Sequence, residues 1–251
     1  MPLVRVASYN IRKSVGTDWR RRPGRIIAVL NEINADIVAL QEVDRRFGSR
    51  TTSLAPELIE GETDYQLILF GARAESIGWH GNAILARRGI EVLGSRKLVL
   101  PALEPRGAAL ADLSVDGCAL RVIGMHLGLL GVWRRRQARA VLEHLESLEH
   151  RHPTVLMGDL NEWSTHGGCI AEFARHHHVA QTGPTFHSKR PVSALDRIMT
   201  SPDIQIARAG VHVSEHARLA SDHLPVWAHI EVPGGAPAAA DQRTTAAEAA
   251  G

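Results

Sequence analysis

The stretch PTVLMGDLNEW, Pro153 to Trp163, runs apolar through Met157 and then crowds Asp159, Asn161 and Glu162 together. Other apolar runs meet polar groups in the same way. VASYN ends in Asn10, VALQEVD carries Glu42, VIGMH ends in His126, LDRIM holds Asp196, and SDHLPV holds Asp222 and His223. Carboxylates are hard oxygen donors suited to Mg²⁺ or Mn²⁺ rather than to a soft metal, and Asn10 adds a neutral carbonyl oxygen. Histidine gives or takes a proton near neutral pH, and Asp196 could hydrogen-bond one imidazole and fix its tautomer. Together these types match metal-assisted attack of water on a phosphorus ester. No Ser or Cys stands in a recognisable nucleophile motif, which favours direct hydrolysis over a covalent route.

Taken singly, each residue has an ordinary explanation. Asn10 and Asp222 suit turns, Asp159 and Asn161 suit a cap, and Asp196 beside Arg197 suits a surface ion pair. Glu42 suits a solvated strand end and His126 a core histidine. One arrangement explains all of them at once, which is why the joint reading is preferred.

Strand ends are rigid anchors, so the elements behind these groups decide whether they meet. Leu3–Tyr9 and Asp36–Gln41 read as strands, and between them Pro23 opens a helix with Ile26, Ile27, Leu30 and Ile33 at helical spacing. Residues 44–62 read as a long irregular segment. YQLILF, NAILA, IEVLGSRKLVL, AALADLSV and ALRVIGM follow as strands separated by Gly, Pro and Asp-Gly. A helix then carries Ala138, Val141, Leu142, Leu145 and Leu148 on one stripe. The remaining elements are a strand over Thr154–Met157, a helix near Cys169–Arg175, and strands near Leu195–Met199, Ile204–Val213 and Val226–Val232. Many strands with few helices predict two packed sheets flanked by helices. No internal repeat is visible.

The chain has 251 residues, a formal net charge of +2, 44% hydrophobic and 22% charged residues. That balance is globular, and bulk charge alone does not announce nucleic acid. Arginines cluster in RRRPGR and in WRRRQAR from Trp133 to Arg139, where they either attract phosphates or solvate a helix face. Arginine at a helix N-terminus opposes the dipole, a hint of an anionic partner. Cys118 and Cys169 make no disulfide framework. No segment reads as a signal peptide or membrane span, so a cytoplasmic protein without stable membrane insertion is expected. The run His176–His178 lacks the spaced partners of a zinc site and reads as a polar helix end. Residues 1–232 read as one catalytic domain and 233–251, rich in Ala, Gly and Pro, as a disordered tail.

The ordered set YNIR, LQEVD, GNAIL, GMHLG, GDLN, LDRIM and SDHLPV resembles the endonuclease/exonuclease/phosphatase superfamily over roughly residues 3 to 232. That resemblance implies a four-layer α/β sandwich, deoxyribonuclease I-like, with two mostly antiparallel sheets flanked by helices. It also implies roles. Glu42 would be the main ligand of a Mg²⁺ (or Mn²⁺) ion, with Asn10 and Asp222 beside it. Asp159 would orient or activate the attacking water, and Asn161 would help hold the phosphate. His223, supported by Asp196, would contact the scissile phosphate. His126 would bind phosphate or donate a proton, Arg106 would lie against the phosphate, and Asn82 is a weaker candidate nearby.

Within that family the loops select the substrate. Arg45, Arg46 and Arg50 stand beside acidic Glu57, Glu60, Glu62 and Asp64 and form no long basic surface, and aromatic residues are only 4%, too few for a rich stacking platform. Trp79, Trp133 and Trp163 flank the motifs and either stack on a substrate or pack at the rim. The first expectation is a monomeric phosphodiesterase acting on DNA or RNA. The alternatives are a phosphoesterase of lipid headgroups or small phosphorylated molecules and, last, a non-catalytic phosphate-binding module.

Overall fold

The computed structural model describes residues 1–44, 51–71, 76–101 and 106–234. Arg45, Arg46 and Arg50, and residues 235–251 of the Ala/Gly/Pro-rich segment, lie outside these residues. The apolar runs become strands β1 (Leu3–Asn10), β2 (Ile37–Gln41), β3 (Tyr65–Leu67), β4 (Ala83–Arg87), β5 (Glu91–Val99), β6 (Gly107–Val115), β7 (Cys118–His126) and β8 (Thr154–Asp159). They continue as β9 (His178–Val179), β10 (Asp196–Thr200), β11 (Gln205–Val211) and β12 (Val226–Glu231). Helices are α1 (Pro23–Ile33), α2 (Pro56–Glu62), α3 (Gly131–Ser147), α4 (Gly168–Phe173) and α5 (Glu215–Ala220).

These strands form two six-stranded sheets, ordered β11-β12-β1-β2-β4-β3 and β5-β6-β7-β8-β10-β9. Each sheet carries a central parallel pair, β1 with β2 and β7 with β8. The other neighbours run antiparallel. A helix bridges each parallel pair, as parallel strands require: α1 in the first sheet and α3 in the second. The two sheets therefore repeat one strand pattern, a duplication that the sequence does not display.

Side-chain alternation builds the layers. Val4, Val6, Ile37, Ala39 and Ile84 of the first sheet pack against Ala109, Ala111, Val122, Val155 and Met157 of the second. Outward residues Ala7, Tyr9, Val38 and Leu40 meet Ile26, Ile27, Leu30 and Ile33 of α1. On the far side Leu110, Ile123, Met125 and Leu156 meet Ala138 and Val141 of α3 and Ile170 and Phe173 of α4. The order helix, sheet, sheet, helix gives the four expected layers.

Three local readings are corrected. Residues 44–62 are not irregular throughout: Pro56 at the first turn opens α2, and Glu57 lies favourably at its positive end. The strand read in YQLILF stops at Leu67. His176–His178 is not simply a polar helix end, since His177 is buried and His178 belongs to β9.

The short helix α5 escapes a periodicity search because six residues make less than two turns. Tertiary contacts hold it. Ser214 caps it by accepting from Ala217 N at 3.0 Å. Glu32 of α1 accepts from Ser214 Oγ at 2.5 Å, from His212 Nε2 at 2.8 Å and from His216 Nδ1 at 2.5 Å. Burial raises the Glu32 pKa, but these bonds outweigh it and hold the carboxyl down at about 2. A depressed acid stabilises the fold above its ordinary range near 4.5 and loses that contribution as pH falls towards 2. Glu32→Gln is therefore expected to flatten stability between about pH 5 and pH 2. Denaturant midpoints across that window check this; parallel wild-type and variant curves would contradict it.

Candidate active site

Strand parity decides where the polar ends point. Val4 and Val6 face the space between the sheets, so Asn10 in the same strand does too. The same alternation sends His126 inward behind Leu120 and Val122, Asp159 behind Val155 and Met157, and Asp196 ahead of Ile198. Register brings them level, with His126 opposite Asp159 and Asp159 opposite Asp196.

Gly158 makes this approach possible. Its φ is +155°, and a Cβ there would fall 1.8 Å from the carbonyl oxygen of Met125. That neighbour is backbone and cannot turn aside. Gly158→Ala is expected to cost about 3 kcal/mol or more, read as a fall in the thermal midpoint; an unchanged midpoint would show that the strands have room.

Asp159 lies at the centre of the contacts. Its Oδ2 accepts from Asn10 Nδ2 at 2.9 Å, and its Oδ1 accepts from Asn161 N at 2.9 Å. The Nε2 atoms of His126 and His223 stand 3.5 and 3.8 Å from Oδ2. Asn161 also donates from Nδ2 to Leu127 O at 2.9 Å. Behind His223, Nδ1 lies 2.8 Å from Asp196 Oδ2, which also accepts from Thr185 Oγ1 at 2.6 Å. Arg106 Nη1 lies 2.9 Å from both ring nitrogens of His126.

The two imidazoles are driven apart. Burial dominates at His126 and, with Arg106, His223 and Lys13 adding to it, overcomes the pull of Asp159 and lowers the pKa to about 3. Burial opposes charge at His223 as well. There Asp196, Asp159 and Asp222 outweigh it and raise the pKa to about 10. At neutral pH one face of Asp159 meets a neutral imidazole and the other an imidazolium, an asymmetry typical of acid–base sites.

Glu42 and Asp222 join the site through basic partners. Residues Arg12, Lys13 and Ser14 form a left-handed turn with φ of 46°, 56° and 58°. Left-handed backbone costs about 1–2 kcal/mol for each non-glycine residue. The turn is held by Lys13 N donating to Glu42 O at 3.0 Å and Arg22 N to Ser14 O at 2.9 Å. Ser14 Oγ adds a bond to Ser53 O at 3.2 Å. The turn aims Arg12 Nε at Asp222 Oδ2, 3.2 Å away, and the Lys13 ammonium into contact with Glu42 Oε2. Glu42 and Asn161 also have positive φ, 57° and 50°. Such outliers persist where surrounding structure over-determines them, as at functional sites.

The structure thus joins Asn10, His126, Asp159, Asn161, Asp196, His223 and Arg106 by direct contact, with Glu42 and Asp222 attached through Lys13 and Arg12. Asn82 serves the framework: its amide donates to Gly107 O at 2.9 Å and Trp79 O at 3.2 Å. Sequence reasoning passed over Arg12, Lys13 and Thr185. The adjacency of IRK to YN was the one signal for the first two. It also treated Arg134 as part of a solvated or phosphate-seeking cluster. Arg134 is instead buried, with Nε 3.2 Å from Glu162 Oε2, and it pins the loop that follows Asn161.

The donors suit a hard divalent cation. The side chains of Asp159 and Asp196 converge with that of His223, one polar atom of each lying within 4.8 Å of the others; the two carboxylates supply oxygen donors there, while the His223 imidazolium supplies charge and no lone pair. The buried Asp196 Oδ1 has no hydrogen-bond partner among the described residues, and Glu42 and Asp222 add two more carboxylates. Oxygen predominates, as Mg²⁺ and Mn²⁺ prefer.

The rim mixes aromatic and basic groups. Trp163 is 62% exposed and meets Phe186 edge-on, and the Phe186 ring lies 5.0 Å from that of His223. The Arg12 guanidinium, paired with Asp222, also lies over Trp19 at 4.4 Å, and Trp19 is 78% exposed. Arg20, Arg21 and Arg22 follow it, all exposed.

This fold and this cluster define a phosphoesterase class. The chain belongs to the Endonuclease/Exonuclease/phosphatase family, whose description matches residues 7–223. Members of the family are phosphoester hydrolases and are generally dependent on divalent metal, and phosphoester hydrolysis is the activity that membership supports. Among individual proteins, the chain is 28% identical to the uncharacterized protein YbhP of Escherichia coli (strain K12), over 88% of this chain and 96% of that one. An endonuclease/exonuclease/phosphatase family protein from Bacteroides thetaiotaomicron shares the fold with a TM-score of 0.75 at 22% identity, covering 93% of this chain and 99% of that one. D. rerio TDP2, complexed with a single-strand DNA product, shares it with a TM-score of 0.68 at 18% identity, covering 92% and 100%.

Proposed function

We propose that the protein is a divalent-metal-dependent phosphodiesterase that cleaves nucleic acid by in-line attack of water. The observation that carries this reading is the buried carboxylate of Asp159 set between the imidazoles of His126 and His223, 3.5 and 3.8 Å away, and bonded to Asn10. Glu42, Asn10 and Asp222 would hold the cation, which when bound would neutralise charge on the phosphoryl group and its leaving oxygen. Asp159 orients the attacking water and takes its proton as the new P–O bond forms and the ester P–O bond in line with it breaks, the leaving oxygen taking a proton from solvent. The His223 imidazolium, fixed by Asp196, faces a phosphoryl oxygen whose negative charge grows in the transition state. Asn161, His126 and Arg106 line the same space and orient the phosphate.

Nucleic acid is favoured by the rim. Arg20, Arg21 and Arg22 offer charge to neighbouring phosphates, while Trp19 and Trp163 offer faces to bases or sugars. The likeness to the DNA-bound TDP2 fold supports the same reading. The test is a substrate panel with Mg²⁺: plasmid DNA, RNA, an artificial phosphodiester, phospholipids, inositol phosphates and sugar phosphates. Cleavage of DNA or RNA, with affinity falling steeply as salt rises, is expected. Turnover of headgroup or sugar phosphates alongside intact DNA and RNA would replace the nuclease reading with a small-molecule one.

A further inference from the structure

We propose that Lys13 is a resident counter-charge that competes with the divalent cation for Glu42. The inference rests on the reading of Glu42 as a cation ligand given above.

Three observations lead to it. The Lys13 ammonium contacts Glu42 Oε2, and the two side chains are 22% and 20% exposed, so water screens the pair only in part. The pairing is built in rather than incidental. Lys13 N donates to Glu42 O at 3.0 Å, Arg21 Nε donates to Lys13 O at 3.2 Å, and the backbone between them is held left-handed at a φ of 56°. An extended backbone at this point would carry the side chain elsewhere. Finally, the adjoining Arg12 meets the second carboxylate of the same region, Asp222, at 3.2 Å. One strained turn thus supplies a cation to each of the two acids outside the buried Asp159–Asp196 cluster.

A divalent ion held by Glu42 would share that carboxylate with the ammonium, and like charges so placed repel in a partly desolvated site. One of the two must withdraw. Lysine is the mobile partner, because its head is a compact, well-hydrated charge on a flexible four-carbon stem. Before loading, Lys13 holds a positive charge against the Glu42 carboxylate. During loading it lowers the affinity, so that occupancy follows the free cation concentration instead of saturating at trace levels.

Isothermal titration of chelator-stripped protein with Mn²⁺ tests this in wild type, Lys13→Met, Glu42→Gln and the double variant. Methionine keeps the stem and removes the charge. Lys13→Met is expected to bind Mn²⁺ about two- to fivefold more tightly, the scale of one partly exposed ion pair. In the Glu42→Gln background, where affinity is already reduced, the same substitution is expected to change nothing. Unchanged or weaker Mn²⁺ binding by Lys13→Met, with the Glu42→Gln loss intact, would overturn the competition. Full affinity in Glu42→Gln would instead remove Glu42 from the ligand set, and the reading beneath the inference would fall first.

Discussion

Asp159→Asn is expected to lower turnover by about 10³-fold, within the usual span for removing a general base, while the chain still folds. The substitution keeps shape and removes charge. It also reverses one hydrogen bond, because both carboxylate oxygens already accept: Oδ1 from Asn161 N and Oδ2 from Asn10 Nδ2. Whichever way the new amide turns, an NH₂ faces a donor. A stability loss of about 1–3 kcal/mol should accompany the kinetic loss. The two separate cleanly, since a fall of that size leaves most of a typical 5–15 kcal/mol stability in place. Turnover of an artificial phosphodiester and a thermal melt on one preparation check both; a rate near that of wild type would remove Asp159 from the chemistry.

The second large effect is expected at Asp196, whose side chain is fully buried. Its Oδ2 takes the Thr185 hydroxyl and faces His223 Nδ1. Burial pulls the His223 pKa down, and the Asp196 charge does most to overcome that pull and lift it to about 10. A raised histidine stabilises the fold fully below its ordinary value near 6.5 and loses that contribution as pH climbs to about 10. Asp196→Asn removes the cause. The imidazolium is then expected to deprotonate near neutrality, with turnover at pH 7 falling about 10²–10³-fold. The alkaline limb of the rate profile should move to lower pH. Imidazole resonances followed through a titration of cation-free protein report the shift directly; an unmoved His223 would mean that Asp159 and Asp222 suffice to hold its charge.

What could be read from the sequence followed from period-two alternation. Apolar runs that stop abruptly at Asn10, His126 and Asp159 declare both a strand and the face its last residue shares, so the layered fold and the gathering of those side chains could be anticipated. Features built by distant partners could not. The left-handed turn at Arg12–Ser14 depends on Glu42, Ser53 and Arg22, and no local propensity favours three such residues in succession. Arg134 looked like a solvated member of a basic run because Glu162, its partner 28 positions away, is adjacent only after folding. The helices α2 and α5 were too short to show a face; Pro56 and Glu57 in its first turn open α2, and the Ser214 cap with the Glu32 contacts holds α5.

The repeated strand pattern has a mechanical consequence. Asn10 and Glu42 hang from one leaf, while His126, Asp159 and Asp196 hang from the other, and the Asn10–Asp159 bond spans the gap at its mouth. The working geometry therefore belongs to neither leaf but to their spacing. A slip of one leaf past the other by a fraction of an ångström would leave every strand paired and every helix seated, yet would pull the attacking and stabilising groups out of line. Catalytic rate should thus sense shear between the leaves well before any spectroscopic sign of unfolding.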